Sequence, residues 1–319
     1  MRADKEKMVN LWLGKIIATL KGYTLENYPF DFTGDNFRRD KSGKTDAAWK
    51  LLNGIRTRGL SPRMLLRLIL LSPTILLILV RLNINAFVTA YLTRNFYYTL
   101  PETKRRDFLM KNIWGGNPGK NWNRALETVY ANRKEFRSPR EKLINLIRTL
   151  DPELYDGVIE LGTGNGWLLN RLSKKMARKR PLTGLDLNEH TILRARSKYK
   201  KNKSLRFLCS DLPRFAKRHT LKRTLLVTCF VLEYFSRSEL RDLVSLLKSH
   251  TPCTLAILER VRKSDRKNQS SLSLGNFSYS HNYVEIFSKL GLQTMTSISR
   301  VSEVNPRERN LIAIFQAVP

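Results

Sequence analysis

The sequence predicts an α/β fold, in which a doubly wound, mostly parallel seven-stranded sheet has helices on both faces and follows a mainly helical N-terminal region. From about residue 155 onward, short apolar runs alternate with segments of helical period, which is typical of parallel strands joined by covering helices. Some runs, such as Leu225 to Val231, are apolar almost throughout, as in strands buried on both faces. A glycine-rich turn follows the first predicted strand, where an open parallel sheet binds its ligands.

Each element follows from its own pattern of apolar residues. The strands are short apolar runs bounded by polar or turn-forming residues. In chain order they are GVIEL at 157–161, PLTGLDL at 181–187, LRFLCSD at 205–211, TLLVTCFVL at 224–232, TLAILERV at 254–261, LQTMTSISRV at 292–301 and NLIAIFQAV at 310–318. The helices repeat their apolar residues every three or four positions. They are expected at 124–136 and 139–150, and then at 167–179, 189–201, 212–219, 236–250 and 280–291.

Two domains are predicted, a helical N-terminal region at 1–135 and the α/β domain at 136–319. Within the first, one apolar stretch runs from Met64 to Val80 and a second from Leu82 to Thr93. The longest run without a charged residue has thirteen residues, fewer than the ~20 that a membrane-spanning helix needs. A buried helical pair, an element lying in the membrane interface and a transmembrane hairpin are therefore the alternatives for 64–93.

The chain is strongly basic, with 58 Lys and Arg against 27 Asp and Glu and a formal net charge of +31. The excess is spread over both halves of the chain, so it is not a basic tail. It predicts either affinity for a polyanion, namely nucleic acid or an anionic membrane surface, or simply a solvated surface. The basic run from Arg194 to Arg206 is expected at the edge of the sheet away from the ligand site, as a solvated face or a docking patch.

The cysteines and histidines predict neither disulfides nor a metal site. Cys209, Cys229 and Cys253 are widely spaced, no C-x-x-C occurs, and the four histidines show no metal-ligand spacing. This favours a reduced compartment. The N-terminus has no good signal peptide, because Lys15 interrupts its apolar stretch. We therefore expect a cytoplasmic protein, with peripheral membrane association as an alternative.

The turn after the first strand combines an acid with three glycines at alternate positions. Gly162, Gly164 and Gly166 follow Glu160 and allow a ligand to approach the backbone closely. A dinucleotide fingerprint would need a further glycine where the chain has Trp167. An acid at this place would also repel a pyrophosphate, whereas it suits a ligand that carries an ammonium group.

This turn resembles the first motif of class I S-adenosylmethionine-dependent methyltransferases. Its sequence is Glu160-Leu-Gly162-Thr163-Gly164-Asn-Gly166. Asp186 and Asp211 end the second and third predicted strands, where the family places its next two acids. The stretch VTCFVLEYF at 227–235 resembles the corresponding step of the small-molecule branch. The resemblance covers about residues 140 to 319 and implies S-adenosylmethionine as the cofactor.

The resemblance assigns parts of the cofactor to particular residues. It implies that Glu160 and the glycine loop hold the methionine part and that Asp186 holds the ribose hydroxyls. The adenine would lie against the third strand end, and the floor beneath the cofactor would follow the fourth strand. The implied cofactor residues are Glu160, Gly162, Thr163, Gly164, Gly166, Asp186, Leu187, Asp211, Leu212 and Phe230.

Glu233 and Tyr234 are the predicted catalytic residues, because they follow the fourth strand where the transferred methyl group should emerge. Either side chain could orient the acceptor or remove its proton. That strand lacks the N-P-P-Y-like ending found in base-directed relatives. The sequence therefore predicts methyl transfer to a small-molecule or lipid-like acceptor. The alternative is an RNA- or protein-directed enzyme that uses the basic surface. Trp114 and Trp122 flank a glycine-rich loop that is either a substrate lid or an anchor on the core.

Overall fold

The structure is a computed structural model that describes residues 101–110, 114–115, 123, 133–176, 180–262, 271–273, 278–303 and 308–318. The chain divides into two compact units, Met1–Phe108 and Leu109–Pro319. The predicted element at 64–93 and Trp122 lie outside the described residues. The domain boundary expected at 135/136 stays a prediction. Within the described ranges, no helix combines the length and hydropathy that crossing a bilayer requires.

The described elements follow the predicted order. The helices are α1 Glu102–Leu109, α2 Lys134–Arg148, α3 Trp167–Lys175, α4 Glu189–Lys198, α5 Leu212–Ala216, α6 Arg237–Lys248 and α7 Tyr283–Lys289. The strands are β1 Gly157–Leu161, β2 Leu182–Asp186, β3 Leu205–Cys209, β4 Thr224–Cys229, β5 Cys253–Arg262, β6 Ser271–Ser273, β7 Ser278–Ser280, β8 Gln293–Val301 and β9 Glu308–Ala317. Short 3-10 turns lie at Pro152–Leu154 and Leu232–Tyr234.

Seven strands form one sheet in the order β3-β2-β1-β4-β5-β9-β8. The first five are parallel, whereas β9 runs antiparallel to both β5 and β8. The order reverses between β1 and β4, which is the topological switch point at which such sheets bind ligands. The predicted doubly wound, mostly parallel sheet is therefore confirmed, and its glycine turn lies at the switch point.

Neighbouring residues of the central strands face opposite cores, as the alternation of side chains in a strand requires. In β1, Val158 belongs to a core with apolar residues of α2, α3 and α4, and Ile159 belongs to one with residues of α5, α6 and α7. Leu240 in α6 is fully buried, and truncation of such a side chain costs about 2–5 kcal/mol. Helices thus cover both faces of the sheet.

The helix before β1 differs from its prediction. Two helices were expected, one ending at 136 and one starting at 139, but α2 runs from Lys134 to Arg148 with Pro139 inside it. A proline inside a helix removes one backbone hydrogen bond. The apolar side chains on the inner face of α2 are fully buried and offset this loss. They are Leu143, Ile144 and Ile147.

A small hairpin, β6 with β7, was not predicted. It pairs Ser271 with Ser280 in an antiparallel two-stranded sheet. Its segments have three residues each and are rich in serine, so they are too short for the alternation of four to eight residues by which a strand is recognised.

Candidate functional site

The glycine loop after β1 has a backbone that only glycine adopts without strain. Gly162, Gly164 and Gly166 have φ angles of +67°, +53° and +74°, in the left-handed region. A Cβ atom at Gly162 would lie 2.5 Å from Val231, and one at Gly166 would lie 2.8 Å from the Phe207 ring. The loop therefore has no room for side chains at these glycines.

Asp186, at the end of β2, fastens this loop to the neighbouring strand. One carboxylate oxygen accepts a hydrogen bond from the Gly164 amide at 2.9 Å, and the other accepts one from the Asn188 amide at 2.9 Å. Burial raises the pKa of Asp186, and the backbone donors oppose this effect. The cap of α4 is the Asn188 side chain, so the Asp186 carboxylate faces the loop and not the helix.

Glu160 is buried beneath the loop, with 3% of its surface exposed. One of its oxygens accepts a hydrogen bond from the Thr163 hydroxyl at 2.6 Å. Burial raises the pKa of Glu160 to about 8, while Thr163 and the Arg140 charge lower it. A buried acid of this kind favours a cationic group beside it, because a cation stabilises the ionised carboxylate.

We expect S-adenosylmethionine to bind more tightly as the pH rises from about 6 to about 8, by up to tenfold per pH unit. The ligand's ammonium group favours the ionised form of Glu160, whose pKa is about 8 in the free protein. Binding below that pKa therefore releases a proton and costs affinity. Calorimetry in buffers of different ionisation enthalpy measures the released proton. In Glu160→Gln the proton release and most of the pH dependence should vanish, and their persistence would contradict this role of Glu160.

The predicted adenine residues form the rim of the loop at the end of β3. The Ser210 amide donates to the Asp186 carbonyl at 3.1 Å, which brings the two strand ends together. The next residue, Asp211, caps α5 by accepting a hydrogen bond from the Arg214 amide at 2.7 Å. Leu212 is buried and Leu187 is partly exposed. An acid beside apolar side chains suits a purine ring with an exocyclic amine, so the adenine assignment stays a prediction.

The segment that contains Trp114 lies across the top of the site. The Trp114 carbonyl accepts a hydrogen bond from the Asn188 side chain at 2.7 Å. Its ring meets the Tyr234 ring edge-on, with 5.0 Å between centroids. Further along, the Asn123 side chain donates to the Thr191 hydroxyl at 3.2 Å. Trp114 thus connects the end of β2 with the turn after β4, where a lid over the glycine loop would lie.

The predicted catalytic residue Glu233 is held in an ion pair. Its carboxylate is buried, and both oxygens accept hydrogen bonds from the Arg260 guanidinium, at 2.6 and 2.9 Å. Glu259 lies beside the pair and accepts hydrogen bonds from the Val231 and Leu232 amides at 3.1 and 3.0 Å. Burial, and then the Glu233 charge, raise the pKa of Glu259 to about 8. These contacts fix the 3-10 turn that carries Tyr234.

Phe230, the predicted floor of the site, has a strained backbone. Its φ angle is +58°, which is uncommon for a bulky residue and tends to occur at functional sites. The guanidinium groups of Arg140 and Arg260 lie 4.9 and 5.7 Å from the centre of its ring. The floor of the site therefore lies between two cations, and Arg140 also acts on the Glu160 carboxyl.

These residues fit S-adenosylmethionine. Among the described residues, two buried donors of the site have no hydrogen-bond partner, namely Trp114 Nε1 and Asn165 Nδ2. Buried donors of this kind need acceptors, and S-adenosylmethionine offers a carboxylate, hydroxyl groups and purine nitrogens. The loop itself presents backbone and no side chain at three positions.

Comparison with known proteins gives one match to a protein family and several to solved structures. Residues 158–251 match a family model described as a methyltransferase domain. No curated protein sequence matches the chain. The chain is similar to the N-methyltransferase NodS from Bradyrhizobium japonicum, with 17% identity, a TM-score of 0.46, and coverage of 59% of this chain and 99% of the other. It is also similar to magnesium protoporphyrin IX methyltransferase from Synechocystis with bound SAM, with 16% identity, a TM-score of 0.45, and coverage of 68% and 98%.

Sequence reasoning missed several residues of the site. Arg260 was predicted only as part of the strand at 254–261, and it lies inside β5, but its pairing with Glu233 was not predicted. Glu259 carried a usable signal, because it is an acid at the end of an apolar strand, as Glu160 is. Arg140 and Asn165 gave no such signal, since their positions in a helix and a turn have ordinary structural explanations.

Proposed function

We propose that this chain, a class I S-adenosylmethionine-dependent methyltransferase by its methyltransferase domain, transfers a methyl group to a small-molecule or lipid-like acceptor bound beside Tyr234. The observation that carries the proposal is the aromatic wall that the half-buried rings of Tyr234 and Trp114 form by their edge-on contact at the end of β4. A wall of this kind suits the apolar body of a small acceptor. A base flipped from a nucleic acid would need polar groups that recognise its edge.

The protein contributes mainly position to the reaction. The bound cofactor supplies an electrophilic methyl group, and the acceptor atom must approach it in line. Burial, and then the Glu233 charge, raise the pKa of Tyr234 well above its ordinary value. The hydroxyl of Tyr234 therefore stays protonated at neutral pH and hydrogen-bonds to Glu233. Its oxygen lone pairs can accept a hydrogen bond from the acceptor and so orient it. Glu233, held by Arg260, positions Tyr234 and does not remove a proton from the acceptor.

We expect Tyr234→Phe to lower kcat by about 10- to 100-fold, the usual effect of losing one positioned polar group, while the affinity for S-adenosylmethionine stays unchanged. Tyr155→Phe is the matched control, because Tyr155 is also buried but precedes β1, at the opposite edge of the sheet. Turnover with the acceptor and calorimetry with the cofactor separate the two effects. A change in cofactor affinity without a change in kcat would place Tyr234 outside the acceptor site.

The acceptor itself is found by labelling. Purified protein is incubated with methyl-labelled S-adenosylmethionine and fractions of a cell extract, and the labelled fraction is identified. Label in small molecules or lipids supports the proposal. Label in a fraction that ribonuclease or protease destroys would replace it with the second candidate, an RNA- or protein-directed methyltransferase. That candidate gains no support from the end of β4, where the chain reads CFVLEYF.

A further inference from the structure

A groove runs along the outer edge of the sheet, outside the methyl-transfer site. Its floor is β3, which ends the sheet, because none of the described strands pairs with its outer side. Helices α4 and α5 supply its walls. Two adjoining clefts of about 340 and 460 Å³ make up the groove, and they share Arg196, Arg206 and Leu208.

The groove is far more basic than the rest of the chain. Of the described residues that line it, six carry a positive charge and only Glu189 carries a negative one. The whole chain has 58 basic and 27 acidic residues, or roughly two to one, so the general basicity does not account for this ratio. The six cations are all exposed at the surface, and they are Arg196, Lys200, Lys203, Arg206, Arg214 and Arg218.

The groove has a fixed shape and contains rings as well as charges. Nε of Arg196 donates to the Phe207 carbonyl at 2.8 Å, which ties α4 to the outer side of β3. At one end, exposed His219 packs on Phe215, with 4.3 Å between ring centroids. At the other end, half-buried Tyr199 lies in the second cleft. Cations that lie between flat rings along a groove fit a chain of phosphates and bases.

We propose that this groove, lined by α4, β3 and α5, binds the phosphodiester backbone of a single-stranded nucleic acid. The exposed cations neutralise successive phosphates and release their counterions. A bilayer surface is flat and would touch the rims of the groove without entering clefts between two helices. The run from Arg194 to Arg206 thus contributes side chains to the groove and is not only a solvated face. The groove extends to Cys209 and Ser210, next to the Asp211 rim.

The test compares two variants that lose the same charge. Lys203, Arg206 and Arg218 are changed to Gln together in the groove variant. Lys142, Arg148 and Arg241, which are equally exposed and lie on α2 and α6, are changed to Gln in the control variant. Fluorescence anisotropy measures the affinity of each protein for a labelled oligouridylate of about 20 nucleotides over a range of salt concentrations. Far-UV circular dichroism and cofactor calorimetry check that both variants remain folded.

The groove variant should lose about tenfold or more in affinity near 100 mM salt, and its plot of log Kd against log salt should be shallower by about 2, since each single-strand phosphate contact contributes about 0.7. The control variant should match the unchanged protein. Equal losses in the two variants, or no binding by the unchanged protein, would overturn the proposal. So would binding to phosphatidylserine vesicles that falls with the groove variant while oligouridylate binding does not. Cofactor binding and methyl transfer to a small molecule are measured separately. A groove that does not bind nucleic acid therefore leaves the proposed function intact. An enzyme that does not methylate a small molecule likewise leaves the nucleic-acid proposal intact.

Discussion

Asp186→Ala should lower the affinity for S-adenosylmethionine by about 100-fold or more, because hydrogen bonds to a charged group contribute about 1.5–3 kcal/mol each. The substitution removes the expected partner of the ribose hydroxyls. It also leaves the amides of Gly164 and Asn188 without the carboxylate that they contact at 2.9 Å. The loop would then lose its anchor on β2 as well as its ligand contact. Isothermal titration calorimetry with S-adenosylmethionine measures the loss.

Asp151→Ala is the matched control for this experiment. Asp151 also accepts a backbone hydrogen bond, from the Glu153 amide at 2.9 Å, but it precedes β1 and lies away from the carboxyl ends of the strands. Its replacement should leave the cofactor affinity unchanged. If Asp186→Ala bound the cofactor as tightly as the unchanged protein does, Asp186 would be only a structural cap of the glycine loop.

The sequence could predict the glycine loop because its constraints are local. The acid and three glycines lie within seven residues, and the positive φ angles follow from the residue type. The strand ends that carry Asp186 and Asp211 were also predictable, since parallel strands place their carboxyl ends at one edge. The same argument from strand ends predicted Tyr234 beside the site, although the residues that contact Tyr234 were not known.

The contacts that close the site were not predictable, because they join distant parts of the chain. The Trp114 carbonyl meets the Asn188 side chain across 74 positions, and no local pattern indicates that pairing. Arg260 lies near the polar end of the strand predicted at 254–261, and β5 continues through it to Arg262. The strand continues because β9 pairs with it antiparallel over its whole length, and a pairing of this kind depends on the order of strands in the sheet.

The turn after β4 depends on a balance of buried charges. Two carboxylates, Glu233 and Glu259, are almost fully buried there, and Arg260 makes a two-point ion pair with the first. The second, Glu259, accepts hydrogen bonds from backbone amides of the turn. A buried charge is tolerated only when its partner stays in place. The position of Tyr234 therefore rests on this ion pair.

Arg260→Met should accordingly destabilise the protein by about 3–5 kcal/mol near pH 8, the cost of leaving a buried carboxylate unpaired. At about pH 5 the deficit should shrink, because the neighbouring Glu259 is then protonated and adds no second negative charge to the turn. The pKa of Glu259 is already about 8 in the unchanged protein, so this acid is neutral over most of that range.

The double variant Arg260→Met with Glu233→Gln separates the effect of charge from the effect of packing. Urea unfolding at both pH values measures the free energy of unfolding of each variant. If charge is the cause, the double variant recovers most of the stability that Arg260→Met loses, because no buried charge is left without a partner. If the double variant is as unstable as the single one, the contribution of Arg260 is its packing against Phe230 at 5.7 Å. The same pair of proteins then reports on function, since only a turn that keeps its shape can hold Tyr234 against the acceptor.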